Sequence, residues 1–494
     1  MNWKDSAAAV RWNIQPFTGG RYRRSTSTEV FDNINPATET ILCQVPVGSA
    51  ADIDAAVGVA RQRFNDGCWS QLPAAGRIEI LLKLANLIVE HSAELALLDS
   101  LEMGKPIRAA LHDASILGPA VLRSCAGFAD KVIGASAPMD FRTLSFNTYE
   151  PRGVIGAICP WNFPSVNAVI KFAPALAAGN TVVLKPSELS SSSALRLAEL
   201  AIQAGLPEGV LNVVPGMGST VGAALALHTD VDLLSFTGST VTGRKIMELA
   251  GRSNGKPLIL ECGGKSPQVV FNDADDLESV ADAAVQSVLW NQGQVCSAHT
   301  RLIVQDDIED SLLEKVICRA AKYQPGDPLD ESTTFGPLAS RMQRDRVKAY
   351  IDQGIEAGAE LVFRGAIREI GGCYVSPTIF AKVEANMSIA REEIFGPVLC
   401  VQSFKSEEEA IELANGTDYG LAATVWTRDM GRGKRMAHAI KAGGISIRTS
   451  GKEAPASGYL LDNEPQKASG FGSELGLRGL RSYSILKSIS LSGA

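Results

Sequence analysis

From Gly153 onward, short β-rich runs alternate with helical ones, and no other feature of the chain constrains its fold as tightly. Residues 154–158, 181–184, 210–214, 233–236, 258–260 and 268–271 are β-rich, whereas 191–204 and 242–250 read as helices. Strands separated by helices are joined by crossover connections, which make the strands parallel and place helices on the faces of the sheet. A second set begins near residue 300, with strands at 301–304, 361–363, 398–404 and 423–426 and helices at 341–356, 406–414 and 434–442. At 494 residues the chain is too long for one ordinary core, so two parallel-sheet α/β domains are the economical fold. Ahead of them, Ile78, Leu81, Leu82, Leu84, Ala85, Leu87 and Ile88 recur at helical spacing and predict one long helix over 74–98. The serine run at 190–193 stands where a helix cap is expected.

Composition narrows the function classes. Forty-seven basic and 54 acidic residues give a net charge of -7, without the Lys/Arg stripe of a nucleic-acid binder. Residues 1–10 carry no apolar leader, and every long apolar stretch is broken before the roughly 18 residues that a spanning helix needs. The expectation is a cytoplasmic protein with no membrane or nucleic-acid partner. Nine cysteines, an odd number, are scattered without paired spacing, so neither a disulfide framework nor a metal site is expected.

Five segments carry chemistry. In Cys159-Pro160-Trp161-Asn162-Phe163-Pro164, two prolines fix the loop after a strand and can hold the Asn162 amide as an oxyanion donor. Read alone it is equally a strand-ending turn. Lys185-Pro186-Ser187-Glu188 leaves the carboxyl edge of a buried strand, where α/β sheets bind ligands. A carboxylate there accepts ribose hydroxyls and repels a 2′-phosphate, which argues for NAD over NADP; a surface helix cap is the alternative. Thr237-Gly238-Ser239-Thr240 opens a helix whose N–H groups suit a pyrophosphate. Gly216 to Val221 lacks the last glycine of the usual dinucleotide fingerprint, so an atypical Rossmann cofactor mode is expected. Glu261-Cys262-Gly263-Gly264-Lys265 leaves Glu261 as a candidate general base, or as a salt-bridged strand end. Asn291-Gln292-Gly293-Gln294-Val295-Cys296-Ser297 puts Cys296 after a polar, glycine-containing turn, an odd place for an inert core thiol.

Taken in order, PWNFP, KPSE, FTGST, E-x-GGK, NQGQVC and Glu392-Glu393-Ile394-Phe395-Gly396-Pro397 resemble the aldehyde dehydrogenase superfamily (NAD(P)-dependent, non-acylating), and the resemblance covers nearly the whole chain. It implies oxidation of an aldehyde to a carboxylic acid: Cys296 attacks, Asn162 and the Cys296 N–H hold the oxyanion, hydride passes to NAD, and Glu261 activates the water that cleaves the thioester. It places Lys185 and Glu188 at the adenosine ribose, Ser239 at the pyrophosphate, and Ser187 among the cofactor-binding residues. Gln343, Glu393 and Phe395 fall near the nicotinamide. The same resemblance assigns Ile158, Pro160, Trp161, Gly218, Gly222, Phe236, Gly238, Cys262 and Gly263 to the cofactor. Lys171 and Glu474 match positions tied to proton relay and site order. Phe163, Asn167, Ile170, Trp290, Val295 and Ser297 match the substrate tunnel.

By this resemblance, 1–130 and 153–262 form the NAD-binding domain and 263–445 the catalytic domain. Residues 131–152 and 446–494 would make a small oligomerisation ribbon and the substrate-entrance segment of a homodimer or homotetramer. The chain departs from the family at this end, where Ile447-Arg448 and Asp462-Asn463-Glu464-Pro465 replace a Val-Asn pair and a Pro-Phe-Gly-Gly turn. Arg448 either meets a carboxylate on the substrate or pairs with Asp462 or Glu464. Three rivals stand beside the main reading: a cysteine hydrolase or acyltransferase using Cys296 with His299, a non-catalytic structural relative, and a CoA-acylating enzyme. Glu261 disfavours the last.

Overall fold

The computed structural model describes residues 2–137, 143–367, 371–449 and 462–492. Two large sheets dominate it. In the first, five parallel strands, Val154–Ile158, Thr181–Lys185, Leu211–Val213, Leu233–Thr237 and Leu258–Glu261, stand in the spatial order 211, 181, 154, 233, 258. Strands buried on both faces read as continuous apolar runs, and Val154–Ile158 is buried at every position. Gly156 is closely packed there: a Cβ would lie 2.7 Å from Leu234 Cδ1, which would have to shift. Antiparallel edge strands complete this sheet, Phe17–Thr18 with Arg21–Tyr22 at one side and Gly470–Phe471 at the other.

The second sheet has seven strands, ordered Glu360–Arg364, Thr378–Ala381, Val398–Phe404, Arg301–Gln305, Pro267–Val270, Ala422–Trp426 and Gly444–Arg448. All its pairings are parallel except the first. Ser469 ties the two sheets: its carbonyl accepts the Cys262 N–H at 2.8 Å, and its hydroxyl donates to Gly263 O and accepts the Gly420 N–H. A third sheet pairs Thr143–Pro151 with Ser484–Ser492 antiparallel over nine residues. Among the described residues, the segment from 446 onward contributes to four sheets: the end of Gly444–Arg448 to the second, Gly470–Phe471 to the first, Ser484–Ser492 to the third, and Gln466–Lys467 to a small pairing with Tyr419–Gly420.

Three sequence expectations are corrected. The helix expected over 74–98 is two, Ala74–Glu90 and Ser92–Met103, because His91 leaves helical geometry and its carbonyl starts the second helix by accepting the Leu95 N–H. The first buries a stripe, while the second is buried at every residue from Leu95 to Met103, so one face could not have served both. The helix expected at 434–442 runs Met430–Ala439, since the Asp429 carboxylate caps it by accepting the Gly431 and Arg432 N–H groups. Ser191 stands at the cap position but its hydroxyl donates to Ser187 O; the buried Glu102 carboxylate takes the Ser192 N–H instead.

Candidate active site

The helix Leu277–Leu289 ends in a tight turn, and the next residues Asn291, Gln292 and Gly293 all adopt left-handed backbone, with φ of 49°, 57° and 74°. Such a run is costly for non-glycine residues and persists only where its surroundings fix it. Here Asn291 Nδ2 donates to Asn162 O at 2.9 Å and Gln294 Oε1 accepts the Ala339 N–H at 2.9 Å. Gly293 has no room for a Cβ, which would lie 2.2 Å from Gly396 O. The strained turn delivers Cys296 half-buried into a cleft. Burial, reinforced by the Glu261 and Glu393 charges, pushes its thiol up to about 12.

Asn162 lies across from it. Its Nδ2 donates to Gln294 O at 2.9 Å while Oδ1 accepts from Asn167 Nδ2 at 3.2 Å, which sets the amide with nitrogen toward the Cys296 loop. The helix Pro164–Ala177 follows, its first turn anchored by Asp99, which accepts the Ser165 N–H and hydroxyl. One face of this helix carries Lys171 into the interior, where Nζ meets Glu474 Oε1 at 2.5 Å and Ser235 Oγ at 3.0 Å. Glu261 closes its strand nearby. Burial raises its carboxyl to about 8, the Glu474 and Glu464 charges adding to the effect and Lys171 opposing it.

The carboxyl ends of four parallel strands open on the same cleft, of about 590 Å³, lined by every residue assigned to the cofactor from sequence, from Ile158 to Phe395. Lys185 Nζ holds Glu188 Oε2 at 2.8 Å. Burial alone would raise the Glu188 carboxyl, but Lys185 outweighs it and keeps it below the usual range. The helix Thr240–Arg252 points its N-terminus at the cleft, with Ser239 as cap. Gly218 faces open space, and a Cβ on Gly222 would meet Ile158 Cδ1 at 3.9 Å. At the other end Glu393 accepts the Gly264 N–H at 3.0 Å, and burial raises its carboxyl to about 7. Gln343 donates to Phe395 O at 2.8 Å, fixing a left-handed Phe395 whose ring meets Trp161 edge-on.

The substrate assignments divide. Phe163 and Asn167 line the cleft beside Cys296, and Trp290 packs on Phe163 with ring centroids 5.1 Å apart. Val295 is half-buried and Ser297 exposed on either side of Cys296. Ile170 packs against the hydrophobic core beside the first sheet. Arg448 lies over the Trp426 ring at 5.1 Å. The ion pair entertained for it is not formed: Glu464 pairs with Arg478, and Asp462 accepts the Arg478 N–H. Most of the divergent loop at 448–465 lies outside the described residues. His299, the base needed by a cysteine hydrolase, has Nδ1 on Ser287 Oγ and Nε2 on Thr424 Oγ1. Sequence reading missed Thr242, Lys245, Ile246 and Leu249, which line the cleft at helical spacing, and Met342 and Arg346 around Gln343.

The Cys296 thiol on its strained turn and the Asn162 amide share one cleft with a helix N-terminus and the Lys185–Glu188 pair, and the charge of the buried Glu261 carboxyl reaches the thiol. The chain belongs to the aldehyde dehydrogenase family, whose model matches residues 22–489. It is 43% identical over 99% of its length to the NADP/NAD-dependent aldehyde dehydrogenase PuuC of Escherichia coli, of which 98% is covered. It is 42% identical over 94% of its length to aminoacetaldehyde dehydrogenase of Pseudomonas aeruginosa, of which 93% is covered. Among solved structures, indole-3-acetaldehyde dehydrogenase with bound NAD+ superposes with a TM-score of 0.95 at 43% identity, covering 99% of both chains. Oxidation of an aldehyde to the acid is the reaction of this family.

Proposed function

We propose that this chain oxidises an aldehyde to its carboxylic acid with NAD as hydride acceptor, using Cys296, Asn162 and Glu261. The observation that carries the reading is that the turn delivering Cys296 is clasped by Asn162 and opens on the cleft that also holds Ser239, Lys185 and Glu188. The cleft suits the dinucleotide: bare glycines at 218 and 222 leave room for phosphates, the helix cap at Ser239 offers N–H groups, and Glu188 stays charged to accept ribose hydroxyls. NAD supplies the hydride acceptor.

The residues act as follows. Burial pushes the Cys296 thiol up to about 12, above Glu261 at about 8, so the thiol proton leaves to solvent only as the sulfur bonds to the aldehyde carbon. The Cys296 sulfur adds to the aldehyde carbon; Asn162 Nδ2 and the Cys296 N–H hold the oxyanion. Departure of hydride leaves a thioester. Glu261 then takes a proton from water, whose oxygen attacks the thioester, and the acid leaves with regeneration of the thiol. Gln343, Glu393 and Phe395 form the far end of the cofactor cleft, and Lys171 with Glu474 sets the field around Glu261.

The two large sheets support domains of 1–130 with 153–262 and of 263–445, with the last strand of the second sheet running on to Arg448 and Gly470–Phe471 joining the first sheet. Leu144, Ile485, Leu486 and Leu491 are exposed on the third sheet, which supports a homo-oligomer built through 131–152 and the C-terminal segment. No helix among the described residues is long and apolar enough to cross a membrane, and a cytoplasmic location is proposed with the rest. NADH formation by the purified protein against aliphatic, aromatic, ω-amino and acidic aldehydes tests the reading; no NADH with any of them overturns it.

A further inference from the structure

We propose that Lys105, paired with Asp113, is a positioning residue that fixes the Phe163 ring as one wall of the approach to Cys296, and so governs binding of aldehydes with a ring. The inference rests on the aldehyde-oxidising reading above and deepens it.

Lys105 and Asp113 are both buried, at 0% and 1% exposure, and form an ion pair through Nζ and Oδ2. The Lys105 ammonium also stands 3.5 Å from the centroid of the Phe163 ring, well inside the range of a cation–π contact. Phe163 is itself half-buried, with one face on the ammonium, a neighbour in Trp290, and a place on the cleft beside Cys296. It directly follows Asn162.

Local structure sets this up. Gly104, at φ 77°, ends the helix Ser92–Met103 and turns the chain, and Ser100 Oγ donates to Lys105 O at 2.7 Å. Asp113 opens a π-type turn, Asp113–Leu117, that interrupts the helical run from Ile107 to Phe128. Such wide turns recur at functional sites. The Gly104 turn also packs on Gly336, where a Cβ would lie 2.2 Å from Gly104 O, a few residues before the Ala339 N–H that holds Gln294. Lys105 therefore sits between the loop of Asn162 and the segment that braces the loop of Cys296.

Energetics favour positioning over stability. Two buried charges lose hydration that their attraction seldom repays in full, and apolar replacements of similar volume are often neutral or stabilising. A cation is attracted to the face of a ring and not to its edge, so the ammonium selects one tilt of Phe163, which an apolar neighbour does not.

The test uses the full-length double variant Lys105→Met/Asp113→Leu, which removes both charges and leaves neither stranded. Tm, the KM for NAD, and kcat and KM for phenylacetaldehyde and acetaldehyde are measured. The expected result is a KM for phenylacetaldehyde raised about tenfold, a change corresponding to ~1.4 kcal/mol, with acetaldehyde and NAD within about twofold and Tm not lowered. Lys105→Arg, with Asp113 retained, keeps the wild-type KM. In a Phe163→Leu background the double change has no further effect on phenylacetaldehyde. Equal effects on both aldehydes, or the same rise without Phe163, overturn the proposal, as does a double variant that fails to fold, since the pair is then structural. A wild-type protein that oxidises neither aldehyde fails at the parent reading instead.

Discussion

Lys171 Nζ and Glu474 Oε1 lie 2.5 Å apart although 303 positions separate the two residues in sequence. The pair is buried, and Ser235 Oγ donates to the same carboxylate oxygen at 2.7 Å. Its consequence reaches Glu261, whose carboxyl Glu474 raises and Lys171 lowers after the larger effect of burial. Glu474→Gln keeps an acceptor for Lys171 and Ser235 but deletes the negative charge, so the Glu261 pKa should fall. The ascending limb of kcat against pH is expected to move down by about one unit. An unmoved limb would remove Glu474 from the field of the base.

In the wild type the same argument fixes the sign of the pH dependence. On the proposed mechanism Glu261 serves as base only when ionised, and burial raises its carboxyl to about 8, so kcat is expected to rise as pH climbs through that value and to level above it. Glu261→Gln should leave a burst of NADH followed by a slow steady state, because the amide accepts no proton from water. Cys296→Ala should show neither burst nor turnover. Rapid mixing at several pH values checks all three; a burst in the Cys296 variant would sink the assignment of the nucleophile.

Gly293 tests the strained turn. Alanine there must hold φ near 74° and place its Cβ against Gly396 O. Backbone strain of this kind costs of order 1–3 kcal/mol, and the carbonyl clash adds to it. Gly293→Ala is expected to lower the denaturation midpoint and to reduce aldehyde kcat/KM more than NAD affinity. Unchanged values for both would mean that the turn relaxes freely.

What was legible in the sequence was local. The segments around Asn162, Lys185, Ser239, Glu261 and Cys296 each follow a strand or helix end, where proline, glycine and small polar residues mark the turn. Helix faces were less visible: Thr242, Lys245, Ile246 and Leu249 share the cleft at the spacing of one helical stripe, a signal present in sequence but without a motif attached. The two-residue edge strands Phe17–Thr18 and Gly470–Phe471 are too short to show a period. Contacts such as Lys105 with Phe163 lie beyond single-sequence reading, because they depend on a π-type turn and on packing between distant elements.

Cofactor choice follows from Glu188. Since Lys185 keeps its carboxyl ionised, a ribose 2′-phosphate meets a full negative charge, partly offset by the neighbouring ammonium. NAD should be preferred, and Glu188→Gln should narrow the ratio of kcat/KM between NAD and NADP chiefly by lowering the KM for NADP. Equal efficiency of the two cofactors in the wild type would refute the argument.

Arg448 is expected to be scaffold. It ends the strand Gly444–Arg448 with its guanidinium 5.1 Å from the centroid of the buried Trp426 ring, while the acidic residues that could have claimed it, Asp462 and Glu464, are both engaged by Arg478. Its charge is also felt by His299, which burial, with Arg448 second, holds down at about 4. A guanidinium stacked on a ring is anchored by its face, and its edge N–H groups remain open, so recognition of a substrate carboxylate is the competing role. The comparison is wild type against Arg448→Met, on the semialdehyde of a dicarboxylic acid and on a neutral aldehyde of equal length. A scaffold predicts equal changes in KM for the two substrates, a lower Tm, and a His299 titration that moves up once the cation is gone. A selective rise of about tenfold in the KM of the acidic substrate, the ~1.4 kcal/mol expected of a lost charge-assisted contact, would instead make Arg448 a specificity residue.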